Sequence, residues 1–223
     1  MMGNHYGDIP RYHVAVDCMI FSVISGKLNI LLIERDFEPE KGKWSLIGGF
    51  VKEKESVDKA ASRVLEQLTG IRNAFIRQIG AFGEVDRDPG ARVISIAYFA
   101  LVKIEDIEIR KDAGKVKWVE IDILPSLGLG FDHPEMINRA LVVMREKILN
   151  EALAFNLLPE LFTLTQLQVL VESVIGRKLD KRNFRKRVLE LPALEATDLI
   201  DKQSSKRGAK LFRYKIIQHN KNA

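Results

Sequence analysis

The carboxylates best placed for chemistry lie in one stretch, GGFVKEKESVDKAASRVLEQLTGI, which runs from Gly48 to Ile71. Carboxylate oxygens are the ligands that Mg²⁺ prefers, and a bound Mg²⁺ can neutralise phosphates and activate water. Two glutamates four residues apart on one helix would share a face and could hold one such ion. A metal site in this stretch would have to use Glu53, Glu55, Asp58 and Glu66.

The apolar residues of the same stretch predict the helix that carries these groups. The spacing i, i+3, i+4, i+7, i+8, i+11 makes one continuous apolar stripe. That stripe is formed by Val57, Ala60, Ala61, Val64, Leu65 and Leu68. Ser56 suits the N-cap and Gly70 the left-handed residue after the last turn, so a helix is predicted from about Val57 to Thr69.

The stretch resembles the Nudix box, G-x5-E-x7-R-E-U-x-E-E-x-G-U, in which U is an aliphatic residue. The matching positions are Gly49, Glu55, Arg63, Leu65, Gly70 and Ile71. The box expects glutamate where this chain has Val64, Gln67 and Leu68. In the family those positions hold the metal ion that diphosphate hydrolysis needs, so the resemblance implies the fold without the reaction. We expect no enzymatic activity, no metal and no cofactor. The alternative is an active Nudix diphosphate hydrolase with an unusual metal site built from the remaining carboxylates.

Charge is distributed unevenly along the 223 residues. Residues 151–223 contain 14 Lys and Arg against 8 Asp and Glu, whereas residues 1–150 contain 21 against 22. Such an asymmetry predicts two domains with different partners. We place them at residues 1–152 and 153–223.

Composition also indicates the compartment. No apolar run reaches the roughly 18 residues of a membrane span, and the first ten residues lack the apolar core of a signal peptide. The single cysteine, Cys18, cannot form an internal disulfide and is expected to be a small buried residue. A cytoplasmic protein with no membrane partner is therefore expected.

The first domain has the pattern of an α/β fold. Strands are predicted near residues 13–23, 28–33, 42–49, 74–82, 92–102 and 116–121. A helix should follow from about Pro134 to Asn150, with Asp132 as its N-cap. His133 is the tempting functional residue, and the competing interpretation is a helix-start histidine that bonds the preceding loop. With the Nudix resemblance, these elements imply an α/β/α sandwich with a mixed sheet.

The second domain has the order of a winged helix-turn-helix. Thr163 and Gln166 have capping-box spacing, and the first helix should stop at Gly176. Asp180 should cap the next helix, from about Lys181 to Leu191, and two strand-like runs follow. The linker between the domains is predicted around residues 151–159.

The second of these helices carries side chains that suit DNA. Lysine and arginine can bond guanine O6 and N7, asparagine can pair with adenine, and cations at a wing tip suit phosphates. The competing interpretation is a solvated basic helix on a small accessory domain. The predicted DNA-binding residues are Lys181, Arg182, Asn183, Arg185, Lys186, Lys206 and Arg207.

Nearly the whole chain resembles one family, the Nudix-related transcriptional regulators. The carrying segments are LFTLTQLQVLVESVIGRKLDKRNFRKRVLEL and SKRGAKLFRY. Within the family, YHVAVDCMIF and ERDFEPEKGKWSLIGGFV most resemble the L-arabinose-responsive branch. The resemblance implies a dimeric regulator that binds operator DNA and senses a small molecule in the Nudix domain. One branch responds to L-arabinose and regulates pentose use, and another responds to ADP-ribose and regulates NAD metabolism.

We expect a pentose as the effector, with L-arabinose first and ADP-ribose second. A sugar pocket needs several charged or amide groups and usually an aromatic ring. Residues 84–88 carry three carboxylates against one arginine, which would repel a diphosphate and suit a neutral sugar better. The predicted effector-binding residues are Arg35, Lys43, Trp44, Asp86, Asp88 and Arg92. Each of them alone has the competing interpretation of a surface or structural residue.

Overall fold

The computed structural model describes residues 9–72, 74–110, 113–202 and 208–215. Lys206 and Arg207 lie outside the described residues. Within these ranges, seven strands form one mixed sheet. They are β1 His13–Ile24, β2 Lys27–Glu34, β3 Trp44–Ser45, β4 Ile47–Phe50, β5 Phe75–Phe82, β6 Val93–Leu101 and β7 Val116–Glu120.

Strand β1 is the centre of this sheet. It runs parallel to β6 from His13 to Phe21, antiparallel to β4 over residues 15–18, and antiparallel to β2 over residues 20–24. Its seven central residues are buried, as expected for a strand covered on both faces. Asp17 therefore lies in the middle of the sheet, with Gly48 and Ala97 as its neighbours on β4 and β6.

Two helices cover the two faces of the sheet. Val16, Cys18 and Ile20 point to helix α1, Val57–Thr69, whereas Met19 and Phe21 point to helix α2, His133–Lys147. This alternation follows from the two-residue period of a strand. Ser56 caps α1 by accepting from Lys59 N, and Gly70 is left-handed with φ 72°, as predicted. The predicted α/β/α sandwich is confirmed.

The C-terminal domain has the predicted winged-helix order. Strand β8 Leu161–Thr163 leads into helix α3 Leu164–Ile175, helix α4 Lys181–Leu189 and the strands β9 Leu194–Asp201 and β10 Ala209–Tyr214. The strands pair in the order β8-β10-β9. Thr163 and Gln166 form the expected capping box, and Asp180 accepts from Asn183 N at the start of α4.

The segment predicted as a linker is packed instead of exposed. Residues Leu153–Leu157 form a 3₁₀ helix whose Leu153, Ala154 and Leu157 are buried in a hydrophobic core shared by both domains. Apolar side chains at these positions remove more area from water than a polar linker could. The boundary between residues 152 and 153 stays a prediction.

Some other predictions differ from the structure. The strand expected over residues 42–49 is divided into β3 and β4, and α2 ends at Lys147, before Asn150. Asp132 holds the N-cap position of α2 but makes no capping hydrogen bond, because its carboxylate is bonded to Arg87. No helix among the described residues has the length and apolar character needed to cross a membrane.

Candidate functional site

The face of α1 that corresponds to the family's metal positions is part of the core. Val64 and Leu68 are 5% and 8% exposed and pack with residues of β1 and β4. A Cβ at Gly49 would lie 3.0 Å from Val64 Cγ2, so strand and helix are in close contact there. Gln67 is exposed and accepts from Arg63 at 3.3 Å.

The carboxylates that remain near this helix already have partners. Glu55 accepts from Arg63 Nε and Nη2 at 3.0 and 2.5 Å and from Lys52 N at 2.8 Å, and these bonds lower its pKa to about 2. Asp58 accepts from Tyr98 Oη at 2.6 Å, and Glu66 from Arg72 Nε at 2.9 Å. Glu53 is exposed. Among described residues, no three His, Cys, Asp or Glu side chains are grouped closely enough to hold a metal ion.

A cleft of about 300 Å³ opens on the other side of β4. Strands β1 and β4 form its floor, residues 35–39 and 87–93 its sides, and the first residue of α2 one end. Its walls combine aromatic rings with charged groups, as ligand clefts do. The charged and aromatic side chains of the lining include Asp17, Arg35, Phe37, Arg87, Phe131 and His133.

A buried ionic network lies under this cleft. Arg87 makes two hydrogen bonds to Asp132, at 2.9 and 2.7 Å, and lies 3.5 Å from Asp17 Oδ2. Ser95 Oγ donates to the same Asp17 oxygen at 2.5 Å. Burial opposes the charge of Arg87, but its bonds to Asp132 and the nearby carboxylates raise its pKa overall. Because two carboxylates face one guanidinium, the network carries an excess of negative charge.

His133 joins this network at the first turn of α2. Its Nδ1 accepts from Leu46 N at 3.2 Å, and its Nε2 lies 3.7 Å from Asp17 Oδ1. Burial lowers the pKa of His133, although Asp17 and Asp132 oppose the change. The imidazole is therefore neutral at neutral pH. The predicted hydrogen bond between His133 and the loop before α2 is wrong, since the partner, Leu46, belongs to the segment between β3 and β4.

Arg35 lies at the mouth of the cleft between two aromatic rings. Its guanidinium is 4.3 Å from the centre of Phe37 and 4.8 Å from that of Phe131. Its Nε donates to Pro39 O at 2.7 Å. Such stacking fixes the plane of the guanidinium group. Its two terminal nitrogens have no hydrogen-bond partner among the described residues, so they can bind a ligand in the cleft.

The other predicted effector-binding residues are spread around this cleft. Asp88 lines it, whereas Lys43 and Asp86 line a neighbouring surface depression. Trp44 faces Lys115 and Lys117 outside the cleft. Arg92 packs on Tyr12 and donates to Glu84 O. Sequence reasoning did not select Asp17, Ser95, Arg87 or Phe131, because these residues approach one another only in the folded chain.

The basic helix α4 buries one face and exposes the other. Phe184 and Val188 are 4% and 0% exposed, and the residues between them are exposed. Arg187 donates to Asn150 Oδ1 at 2.7 Å. Of the predicted DNA-binding residues within the described part of the chain, none has a side-chain hydrogen bond or ion pair there: Lys181, Arg182, Asn183, Arg185 and Lys186 are open to solvent.

A groove of about 460 Å³ lies beside this helix. It is bordered by the first turn of α3, by Lys181 and Arg185 of α4, and by Lys210 of β10. None of the described residues that line it is a carboxylate. The groove thus combines three cations with the N-terminal end of a helix, an arrangement that favours anions.

Comparisons with known proteins agree with this architecture. Residues 11–140 match the NUDIX domain, and residues 154–214 match the NrtR DNA-binding winged helix domain. The "ADPR responsive transcriptional repressor NtrR" of Acinetobacter baylyi is 35% identical over 218 residues, which cover 96% of this chain and 87% of that relative.

Solved structures give the same result. NrtR of Shewanella oneidensis, complexed with a 27mer DNA, has 29% identity and a TM-score of 0.82 over 91% of this chain and 93% of that one. The NUDIX domain of the same protein, complexed with ADP ribose, has 28% identity and a TM-score of 0.56 over 60% of this chain and 90% of that one. This chain belongs to the NrtR family of Nudix-related transcriptional regulators, in which a Nudix domain precedes a DNA-binding winged helix domain.

Proposed function

We propose that this protein is a homodimeric transcriptional regulator that binds operator DNA through α4 and its wing, and binds ADP-ribose in the Nudix cleft without hydrolysing it. The observation that carries the DNA part is the exposed face of α4, whose four predicted cations are unpaired within the described residues. Unpaired cations release counterions from DNA when they meet phosphates, which favours association. A single small domain makes few base contacts, so two domains reading half-sites about one helical turn apart are expected.

The effector proposal reverses the order expected from the sequence. A relative that matches nearly the whole chain is named for ADP-ribose, and so is a similar solved Nudix domain. These similarities support ADP-ribose, and they do not support the L-arabinose branch. Arg35 supplies the cation that a diphosphate needs, because its terminal nitrogens have no hydrogen-bond partner among the described residues and its plane is fixed by two rings. L-arabinose stays the second candidate because Asp17, Glu38 and Asp88 make the cleft rich in carboxylates.

The lack of hydrolysis is proposed from α1. Val64 and Leu68 offer no oxygen ligand, and Glu55 is held by Arg63 and Lys52 N. A divalent ion placed against this face would lose water without gaining carboxylates. The regulator therefore keeps its ligand intact.

Helix α2 gives the cleft a direct connection to the DNA-binding domain. It begins at His133 in the cleft, and near its other end Arg145 Nε donates to Val174 O of α3 at 3.1 Å. Asn150, just beyond the helix, accepts from Arg187 of α4. A ligand that binds one position of α2 better than another would shift the DNA-binding domain with it.

The test combines two measurements on the full chain. Gel shifts with DNA from the protein's own promoter should respond to ADP-ribose and not to L-arabinose or D-xylose. ADP-ribose should stay intact during long incubation with Mg²⁺ or Mn²⁺. A response to L-arabinose alone would refute ADP-ribose as the effector but would leave the role as a regulator intact. Hydrolysis at about one turnover per second that Glu55→Gln abolishes would refute the proposed lack of activity. The absence of any preferred DNA site would refute the role as a regulator.

A further inference from the structure

Two polar atoms at the floor of the cleft face each other without forming a hydrogen bond. Asp17 Oδ1 and His133 Nε2 are 3.7 Å apart, and neither has another hydrogen-bond partner among the described residues. Both residues line the cleft, although their side chains are only 12% and 3% exposed. An oxygen atom to the side of the line that joins them can lie within hydrogen-bond distance of both.

The hydrogen on this imidazole is fixed by the backbone. His133 Nδ1 accepts from Leu46 N, so in the neutral ring the hydrogen is on Nε2. The ring is kept neutral by burial, with Asp17, Asp132, Arg87 and Arg35 as the charged groups that face it. Nε2 is thus a donor that lies 3.7 Å from the acceptor Oδ1.

The carboxylate is held equally firmly. Ser95 Oγ and Arg87 Nη2 both approach Asp17 Oδ2, which leaves Oδ1 as the oxygen directed to the cleft. Gly48 keeps that oxygen accessible, because a Cβ at this position would lie 2.4 Å from Oδ1. A donor and an acceptor are therefore preorganised beside one small space.

We infer that Asp17 and His133 form a binding site for one sugar hydroxyl group, which donates to Asp17 Oδ1 and accepts from His133 Nε2–H. A hydroxyl oxygen about 2.8 Å from each atom fits a 3.7 Å separation and satisfies both partners. This inference rests on the proposed function only in taking the ligand of the cleft to be the effector. The shared chemistry is a sugar hydroxyl, whether it belongs to ADP-ribose or to a free pentose.

The pair would act as a selectivity device. A ligand that lacks the hydroxyl leaves a buried donor and a buried acceptor without partners, which costs more than a missing apolar contact. Arg35, in contrast, attracts any anion that reaches the mouth. Selection of a sugar-bearing ligand is thus assigned to the floor of the cleft and attraction to its rim.

Two substitutions at one position separate the ligand contact from the structural contact. His133→Asn keeps an acceptor for Leu46 N and removes the donor at Nε2, whereas His133→Gln keeps a donor near Nε2 and removes the acceptor. Asp17→Asn turns the free oxygen into an amide donor or leaves Ser95 unsatisfied. Calorimetry on the full chain with ADP-ribose, ADP and L-arabinose measures the effect, and thermal unfolding and operator gel shifts confirm that each variant is folded.

His133→Asn and Asp17→Asn should each weaken the binding of ADP-ribose at least tenfold, because the loss of one hydrogen bond to a charged or buried partner has about this effect. His133→Gln should bind ADP-ribose within about threefold of the wild type, because it keeps the donor. Unchanged ADP binding would assign the contact to the terminal ribose, and a parallel loss would assign it to the adenosine ribose. The inference is overturned if His133→Asn binds like the wild type, or if His133→Gln is the weaker of the two. If the wild type binds L-arabinose and not ADP-ribose, the proposed effector fails and the same variants decide the hydroxyl site with L-arabinose. Wild-type binding of neither ligand would overturn both.

Discussion

Helices α1 and α4 begin with the same device and bury an apolar stripe in the same way, but their polar residues have opposite surroundings. In α1 three ionic side chains have partners: Asp58 accepts from Tyr98, Arg63 donates to Glu55, and Glu66 accepts from Arg72. In α4 the cations Lys181, Arg182, Arg185 and Lys186 have none within the described residues. A charged side chain that is paired within the protein contributes to the structure of the fold, whereas an unpaired charged side chain in water can bind another molecule such as DNA.

The difference explains how one chain can keep a hydrolase scaffold and use it for regulation. The box helix is retained because Val64, Leu65 and Leu68 fasten it to the sheet, which also holds the cleft. Val64 and Leu68 on this helix contribute apolar burial and offer no oxygen ligand. In the proposed function the surface that contacts DNA is that of α4, which is polar and exposed and is carried by the buried residues Phe184 and Val188.

The largest expected effect comes from restoring a family residue to α1. Val64→Glu places a carboxylate in the buried cluster with no cation beside it, and should lower the free energy of unfolding by on the order of 3–5 kcal/mol, as an uncompensated buried charge does. Urea denaturation measures this loss. Gln67→Glu is the matched control, because residue 67 is exposed and already accepts from Arg63. Equal stability of the two variants would contradict the conclusion that this face of α1 stabilises the fold through apolar burial.

The next largest effect concerns the exposed face of α4. Arg182→Ala or Asn183→Ala should cost roughly 1–3 kcal/mol of preference for operator over unrelated DNA, because a base contact is lost. Stability should be unchanged, since both side chains are exposed and have no side-chain partner in the described residues. Fluorescence anisotropy with operator and scrambled DNA measures the ratio. Phe184→Ala, which removes a buried side chain of the same helix, should instead reduce stability. If Arg182→Ala lost the same affinity for operator and for scrambled DNA, Arg182 would contact a phosphate and not a base.

The sequence could predict contacts within a single helix, but not contacts between residues that are distant in the chain. The caps Ser56, Thr163 and Asp180 act within three residues, so their partners are fixed once the local helix is recognised. Asp132 looked like another cap of this kind, but a guanidinium 45 residues earlier in the chain bonds its carboxylate more strongly than a backbone N–H would. Local spacing contains no information about that competitor.

The cleft shows the same limit at greater range. Asp17 meets Ser95 only because β1 and β6 lie side by side, and Trp44 is turned away because β3 pairs with the outer part of β2. A polar residue in an apolar strand was the available signal for Asp17, since a buried carboxylate needs partners. The aromatic residue was chosen by type, and its direction depends on the strand that carries it.

A smaller effect is expected in the turn that sets α4 against α3. Glu172 accepts from Lys178 Nζ, Leu179 N and Gln168 Nε2, and these bonds lower its pKa from 4.5 to about 2. Because the folded pKa is below the unfolded one, this stabilisation is present above pH 4.5 and is lost as pH falls toward 2. Glu172→Gln should lower the melting temperature at pH 7 and reduce its decline between those pH values. Thermal unfolding across pH measures both, and a variant with the wild-type pH profile would exclude this role.

The smallest effect is expected from Lys210, which borders the groove between α3 and α4 and is exposed. Its ammonium group is a point charge on a flexible stem, suited to a phosphate and not to a base edge. Lys210→Ala should therefore weaken operator and unrelated DNA by the same factor, and reduce the slope of log affinity against log salt by about 1, since one counterion fewer is released. Anisotropy titrations at several salt concentrations give both quantities. Lys215→Ala is the matched control, because Lys215 is exposed close by in the chain but does not line the groove. If Lys210→Ala changed the preference between the two DNAs, Lys210 would contact bases. Recognition of the DNA sequence would then involve the wing as well as α4, and phosphate contacts would not be the only role of the residues around α4.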